Sequence, residues 1–234
     1  ELKMRGLKPE HRLLDIGASP HGYALERALA LGVAEYVGIG LGINAPIEIA
    51  GEPGDGKLLP MNATQLGLED ASFDLVISIS TFEHIGDVPA ALAEIQRVLK
   101  PGGKALITFE PIWTCAYGHH LHHFGPIAQH MPDWAHLVWD KPTMLRELAN
   151  VWPADGAPTL AEAADWVYDS PALNRIGLPE MRQHLANCGL GCEWLLTLPD
   201  TPRDSARLQQ IAQATGYSPD DLTAKGISVF LVKA

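Results

Sequence analysis

The stretch Arg12-Leu13-Leu14-Asp15-Ile16-Gly17-Ala18-Ser19-Pro20-His21-Gly22 passes from an apolar run into an acid and then into a glycine-bearing loop. The Ala/Leu-rich residues that follow, from His21 to Leu31, read as a helix. Strand, loop and helix in that order are how an open parallel sheet presents a small-molecule site, because ligands bind beyond the carboxyl ends of its strands. Gly17 and Gly22 let backbone approach a ligand where a side chain would block it. Plain strand-to-helix connections share this pattern, so the rest of the chain has to decide.

Ser72 to Phe109 carries the second half of the argument. Phe73–Ser80 and Ala105–Phe109 are continuous apolar and β-branched runs, the signature of strands buried on both faces of a parallel sheet. Between them Val88, Ala91, Leu92, Ile95, Val98 and Leu99 recur at helical spacing. Pro101-Gly102-Gly103 then stops the helix and turns the chain into the next strand.

With Phe73-Asp-Leu-Val, Glu83-His84 and Arg97-Val-Leu-Lys-Pro-Gly-Gly in this order, the chain resembles the class I S-adenosylmethionine (SAM) dependent methyltransferases, in the small-molecule methyltransferase-11-like group. The resemblance covers Leu13 to about Phe109 well and the end of the chain loosely. It implies an α/β, Rossmann-like doubly wound sheet of about seven strands with the last antiparallel. It also implies SAM as cofactor. Asp15 and Gly17 would bind the methionine amino group, and Ala18, Ser19, His21 and Gly22 would wrap the methionine end. Gly40 and Leu41 occupy the ribose position, Asn62 and Ala63 the adenine position, and Ser80 lies near the methionine. Two departures stand out. Ser19 and His21 stand where the family commonly has glycines. The acid that grips the ribose hydroxyls in the family is replaced by Gly40, a loss of charge-assisted hydrogen bonds worth ~1.5–3 kcal/mol each. The plain alternative for Asp15 and Asn62 is a helix-cap or turn residue, and the surrounding match favours the cofactor role.

Composition fits one compact α/β domain with an elaboration. The 234 residues are 47% hydrophobic and 19% charged, enough to build a full core and inconsistent with disorder. A net charge of −11 without any basic patch argues against a nucleic-acid partner, which needs Lys/Arg-rich faces to neutralise phosphates. No apolar run reaches the length of a membrane span. Three cysteines do not make an even secreted framework, and with them we expect a reducing, cytoplasmic setting. Cys188 and Cys192 read as small apolar residues rather than a metal pair. The chain begins at Glu1 rather than Met, which leaves open a preceding targeting segment.

Strands are expected at Arg12–Ala18, Glu35–Leu41, Lys57–Asn62, Cys192–Leu198 and Gly226–Val232 besides the two above, with further helices at Leu178–Asn187 and Asp204–Ala214. The organisation is a SAM-binding core over residues 1–112, an insertion over 113–176, and a C-terminal part of the sheet over 177–234. The insertion holds six of the chain's 10 histidines and most of its tryptophans. Long segments of this kind are usually lids or binding elements, so it is read as a helical substrate cap, with helices near Thr143–Val151 and Leu160–Tyr168.

A base is needed for methyl transfer only where the acceptor carries a proton at working pH. His119 and His120, after the Gly118 turn, are the candidate bases, with His84 as the inner alternative. Histidines packed among tryptophans are the plain reading. A metal is not expected: the Glu-x-x-Glu-His arrangement of a quinone-type subgroup becomes Ser80-Thr-Phe-Glu83-His84, and His119-His-Leu-His-His123 matches no established metal spacing. Three functions follow. The first is in-line methyl transfer to a small acceptor such as a sugar, glycan precursor or natural-product intermediate. The others are a non-methylating use of SAM, and a non-catalytic binding or scaffold role.

Overall fold

The computed structural model describes residues 8, 10–21, 28, 32–49, 54–153, 157–201 and 204–234. The chain divides into two compact units, residues 1–109, 182–196 and 228–234 forming the first and 110–181 with 197–227 the second. The second unit thus includes the expected cap and also residues that the sequence reading assigned to the sheet.

The first unit is built on a sheet. Its strands are β1 (Arg12–Ile16), β2 (Glu35–Gly40), β3 (Ile47–Ile49), β4 (Asp55–Pro60), β5 (Phe73–Ile79), β6 (Leu99–Phe109), β7 (Gly191–Pro199) and β8 (Ala224–Val232), in the order β3-β4-β2-β1-β5-β6-β8-β7. Among the described residues the sheet has eight strands rather than about seven. The addition is β3, three residues antiparallel to β4 within the Gly/Pro-rich passage that was read as a connection. The expected helix over 21–31 lies largely outside the described residues, which place Ala28 in a helix, buried.

The four strands β4, β2, β1 and β5 pair in parallel, with Ile16 opposite Ile39 and Ser78, and Gly40 opposite Pro60. Their carboxyl ends therefore share one edge. β8 runs against β6: Gly102 donates to Lys233 at one end and Ile112 to Lys225 at the other, so partner numbers fall as strand numbers rise. The central strands are almost fully buried, with Leu13, Leu14, Val37 and Val76 all at 0% exposure. That is the consequence of covering both faces, and it is why their sequences do not alternate.

Helix α1 (Val88–Val98) starts at Asp87, whose carboxylate accepts the Ala90 N–H, with a proline in the first turn. It buries Val88, Ala91, Leu92, Ile95 and Val98, the stripe that its spacing predicts. Pairing of β6 begins at Leu99, directly after the helix, and a register shift falls between its Leu99 and Lys104 pairings. Pro101-Gly102-Gly103 is thus an irregularity inside the strand rather than a turn before it. Its backbone exchanges hydrogen bonds with Lys233.

The second unit is mainly helical, with α2 (Ala135–Val138), α3 (Lys141–Leu148), α4 (Leu160–Tyr168), the start of α5 (Leu178–Asn187), α6 (Ser205–Thr215) and α7 (Pro219–Thr223). One cluster packs Leu121, Met131, Met144, Leu148 and Trp152 against Ala163, Ala164 and Val167. A second gathers Trp134, Leu208, Ile211 and Leu222. Trp134 is 1% exposed, and its indole N–H donates to the Leu222 carbonyl at 3.0 Å. This packing ties 197–227 to the cap segment. No helix among the described residues is long and apolar enough to cross a membrane.

Candidate functional site

Every described residue assigned above to the cofactor lies in the first unit, at or just beyond the carboxyl ends of β1, β2, β4 and β5. Gly22 lies outside the described residues. Asp15 is 5% exposed and accepts a 2.5 Å hydrogen bond from the Tyr36 hydroxyl. Burial pushes its carboxyl above the usual carboxylate range, and the Tyr36 bond pulls it partly back.

Gly17 has φ +90°, and a Cβ there would run into the Thr81 side chain. Only glycine fits, so the β1 loop and the β5 loop close on one another at this point. The Gly17 and Ala18 N–H groups both donate to the Ile39 carbonyl at 2.8 Å. Two donors of the loop are thereby directed at β2. Ser19 accepts the His21 N–H in a local turn, and His21 is exposed. Ser80 has φ +50° and donates its N–H to Thr108. Asn62 is exposed, and its Oδ1 accepts the Thr64 N–H at 3.0 Å, a turn role for that oxygen. Ala63 beside it is buried.

The replacement at Gly40 has a physical cause. A Cβ at this position would stand 2.8 Å from the Ala18 carbonyl oxygen. The β1 loop runs so close over β2 that no side chain fits beneath it. Gly40→Asp is therefore expected to lower stability by about 1–3 kcal/mol and to leave SAM affinity no better. Urea unfolding and SAM titration check this. A stable Gly40→Asp chain with tighter SAM binding would show that the loop yields.

Two large apolar side chains stand exposed at the same edge, Leu41 at 80% and Ile79 at 54%. They follow or end β2 and β5, the strands on either side of β1. Exposed apolar surface beside a buried carboxylate is an arrangement that a ligand with a flat apolar part and a cationic part can cover.

The family model described as a methyltransferase domain matches residues 14–107. Over 110 residues the chain is 36% identical to phosphoethanolamine N-methyltransferase 3 of Arabidopsis thaliana, covering 45% of this chain and 22% of that protein. It is 34% identical over 114 residues to 2-phytyl-1,4-naphtoquinone methyltransferase of Synechocystis, covering 45% of this chain and 48% of the relative. The chain thus spans less than half the length of these curated relatives. Residues 14–107 are thus similar to a methyltransferase domain. A SAM-dependent methyltransferase structure from Methanosarcina mazei has the same fold across 99% of this chain and 96% of that one, with a TM-score of 0.56 at 16% identity.

His84 falls within the matched residues. It ends the short turn Phe82–His84, with Nε2 3.9 Å from the buried Glu83 carboxylate. The other candidate bases lie in the second unit, and there the backbone gives two neighbouring histidines different states. Nδ1 of His119 accepts the Leu121 N–H at 3.0 Å, so in the neutral ring Nε2 carries the proton. His119 is 2% exposed, and burial holds its basicity well below the ordinary histidine value. Nδ1 of His120 lies 2.6 Å from the Gly118 carbonyl. A carbonyl can only accept, so Nδ1 carries the proton and Nε2 keeps a lone pair, a tautomer assigned from its partner. His120 also holds φ +59°, a left-handed conformation that costs of order 1–3 kcal/mol in a non-glycine residue.

His136 packs its ring 5.3 Å from that of His119 and bonds the Trp113 carbonyl through Nε2 at 2.8 Å. Burial lowers its pKa from 6.5 to about 4. A depressed folded pKa means that the unfolded chain binds the extra proton first. Stability is thus fully present above pH 6.5 and lost as pH falls toward 4. This one group is expected to remove about 2 kcal/mol between pH 7 and pH 5, and His136→Gln to flatten that slope in urea unfolding at the two values. An equal slope in both chains would assign the acid sensitivity elsewhere.

The second unit also contains a cleft of about 970 Å³ whose lining includes Phe124, Trp166, Pro158, Lys141, Asp165 and Asp169. Phe124 and Trp166 meet edge to face with centroids 5.5 Å apart, and Lys141 bridges Asp165 and Asp169. Sequence reading singled out the cap but not these residues, because their convergence depends on how α3 and α4 pack. Cys115 is buried with its thiol pushed up to about 12, while Cys192 is exposed, so the apolar reading fails for Cys192.

Proposed function

We propose that the chain is a SAM-dependent methyltransferase acting on a small-molecule acceptor. The observation that carries this is the edge formed by the carboxyl ends of β1, β2 and β5, where a buried carboxylate, a left-handed glycine and two exposed apolar side chains adjoin. These residues fit the cofactor: Asp15 for the ammonium, Leu41 and Ile79 for the adenosyl body, and the Gly17–Ser19 loop beside the methionine. Bound there, SAM supplies an electrophilic methyl group on a sulfonium. The ribose hydroxyls have no carboxylate from position 40, and backbone around Leu41 takes that role; Glu48, the other candidate, lies opposite Lys57 among residues of the strands' amino ends.

His120 serves as the general base where the acceptor is protonated, since Nδ1 is committed to Gly118 and Nε2 keeps its lone pair. His119 and His120 are equally buried, and what sets His119 apart is that its acceptor nitrogen is occupied by the Leu121 N–H. The cleft lined by Phe124, Trp166 and carboxylates suits an acceptor with an apolar ring and polar or cationic groups. A sugar, glycan precursor or natural-product intermediate meets that description, as do the amine and quinone classes in the relatives' names.

Gly40 supports a second reading, in which SAM is bound but used without methyl transfer. Calorimetric titration with SAM and S-adenosylhomocysteine, followed by product analysis on an acceptor panel, separates the readings. Micromolar binding of both with a methylated product supports the first. SAM consumption without a methylated product supports the second, and no binding of either ligand leaves a scaffold role.

A further inference from the structure

Tyr36 belongs to no motif of the cofactor loop, yet it is 0% exposed and its hydroxyl reaches the Asp15 carboxylate. The register explains how. Leu13 lies opposite Tyr36 and Asp15 opposite Gly38, so all four occupy one face of the β1–β2 pair. A Cβ on Gly38 would stand 3.0 Å from Cε1 of the Tyr36 ring, 2.6 Å from Leu58 Cδ2 and 2.7 Å from Ala18 Cβ. The ring thus lies along the strand over Gly38, and its hydroxyl arrives at Asp15 from beneath. Tyr36, Gly38 and Asp15 form one device: the glycine supplies the space, the ring the reach, and the carboxylate the acceptor.

We infer that Tyr36 is a positioning residue for the cofactor: its hydroxyl occupies Oδ2 of Asp15 and leaves Oδ1 for the ammonium of the amino-acid end of SAM. The inference rests on the methyltransferase reading above. A buried tyrosine hydroxyl requires a partner, and a buried carboxylate requires donors. Each satisfies the other before the ligand arrives. Burial pushes the Asp15 carboxyl up, and the Tyr36 bond is the group that opposes this. Without the hydroxyl, Asp15 takes up a proton nearer to neutral pH and loses its hold on an ammonium group.

The test is titration of S-adenosylhomocysteine into the wild-type chain, Tyr36→Phe, Asp15→Asn and the double variant, from pH 6 to pH 9. Tyr36→Phe keeps the ring and is expected to bind more weakly than wild type at pH 6, with the deficit closing toward pH 9, as a carboxyl that has lost its opposing hydrogen bond requires. Asp15→Asn is expected to bind weakly at every pH, and Tyr36→Phe to add nothing to it. Equal binding by Tyr36→Phe and wild type across the range overturns the inference, as does a pH-independent loss that persists in the Asp15→Asn background. Absence of wild-type binding overturns the methyltransferase reading together with it. Should Tyr36→Phe fail to fold, the carboxyl carbon resonance of Asp15 in the wild-type complex decides. Ionised at pH 7 supports the role, and protonated at pH 7 overturns it.

Discussion

Asp15→Asn is expected to weaken SAM and S-adenosylhomocysteine binding by about 10- to 100-fold while the sheet remains folded. A hydrogen bond to a charged partner contributes about 1.5–3 kcal/mol, which converts to that range of affinity. Asparagine is the informative substitution because it keeps an oxygen for the Tyr36 hydroxyl, a buried side-chain bond added to the β1–β2 ladder. Alanine would strand that hydroxyl at a site with 0% exposure and cost a further ~1–3 kcal/mol of stability, mixing a folding defect with a binding one. Calorimetry with either ligand reads the affinity, and urea unfolding reads the fold. Unchanged affinity in Asp15→Asn would place the cofactor somewhere other than this edge. Reduced stability with intact affinity would confine Asp15 to a structural pairing with Tyr36.

The parts of the fold that sequence revealed are those where one pattern had one solution. Phe73–Ile79 is too continuously apolar for a half-exposed strand, and it lies between β1 and β6 in the sheet. The spacing of Val88, Ala91, Leu92, Ile95 and Val98 allows only a one-sided helix, and those are its buried residues. β3 escaped because three residues are too few to show alternation, and its pairing with β4 depends on partners ten or so positions away. The Pro101-Gly102-Gly103 irregularity was read as a turn because those residues break regular structure locally. What keeps them in a strand is the tail at Lys233, far along the chain. The loss of the acid at Gly40 was visible from the sequence, but its cause was not, because the Ala18 carbonyl that fills the space belongs to a different loop. Tyr36 was hidden for a related reason. Its role requires the β1–β2 register, which pairs Asp15 with Gly38 and sends the ring between them.

The two adjacent histidines show the limit most sharply, and they carry the prediction with the largest effect. His120→Ala is expected to lower methyl transfer to a protonated acceptor by about 10²–10⁴-fold, the usual contribution of a positioned base. SAM affinity should remain within about twofold, because every described cofactor residue belongs to the other unit. His119→Ala is expected to cost less, and through a different route. It removes the acceptor for the Leu121 N–H, so the turn that sets the left-handed conformation of His120 loosens. His119→Asn restores an acceptor near the position of Nδ1 and should recover most of the lost turnover, whereas His120→Asn should not recover any. Release of S-adenosylhomocysteine with an acceptor found by screening measures all four variants. Comparable losses in His119→Asn and His120→Asn would remove the base from His120. Full activity in both would return the cluster to packing, with the acceptor arriving already deprotonated and orientation in a closed site supplying the rate.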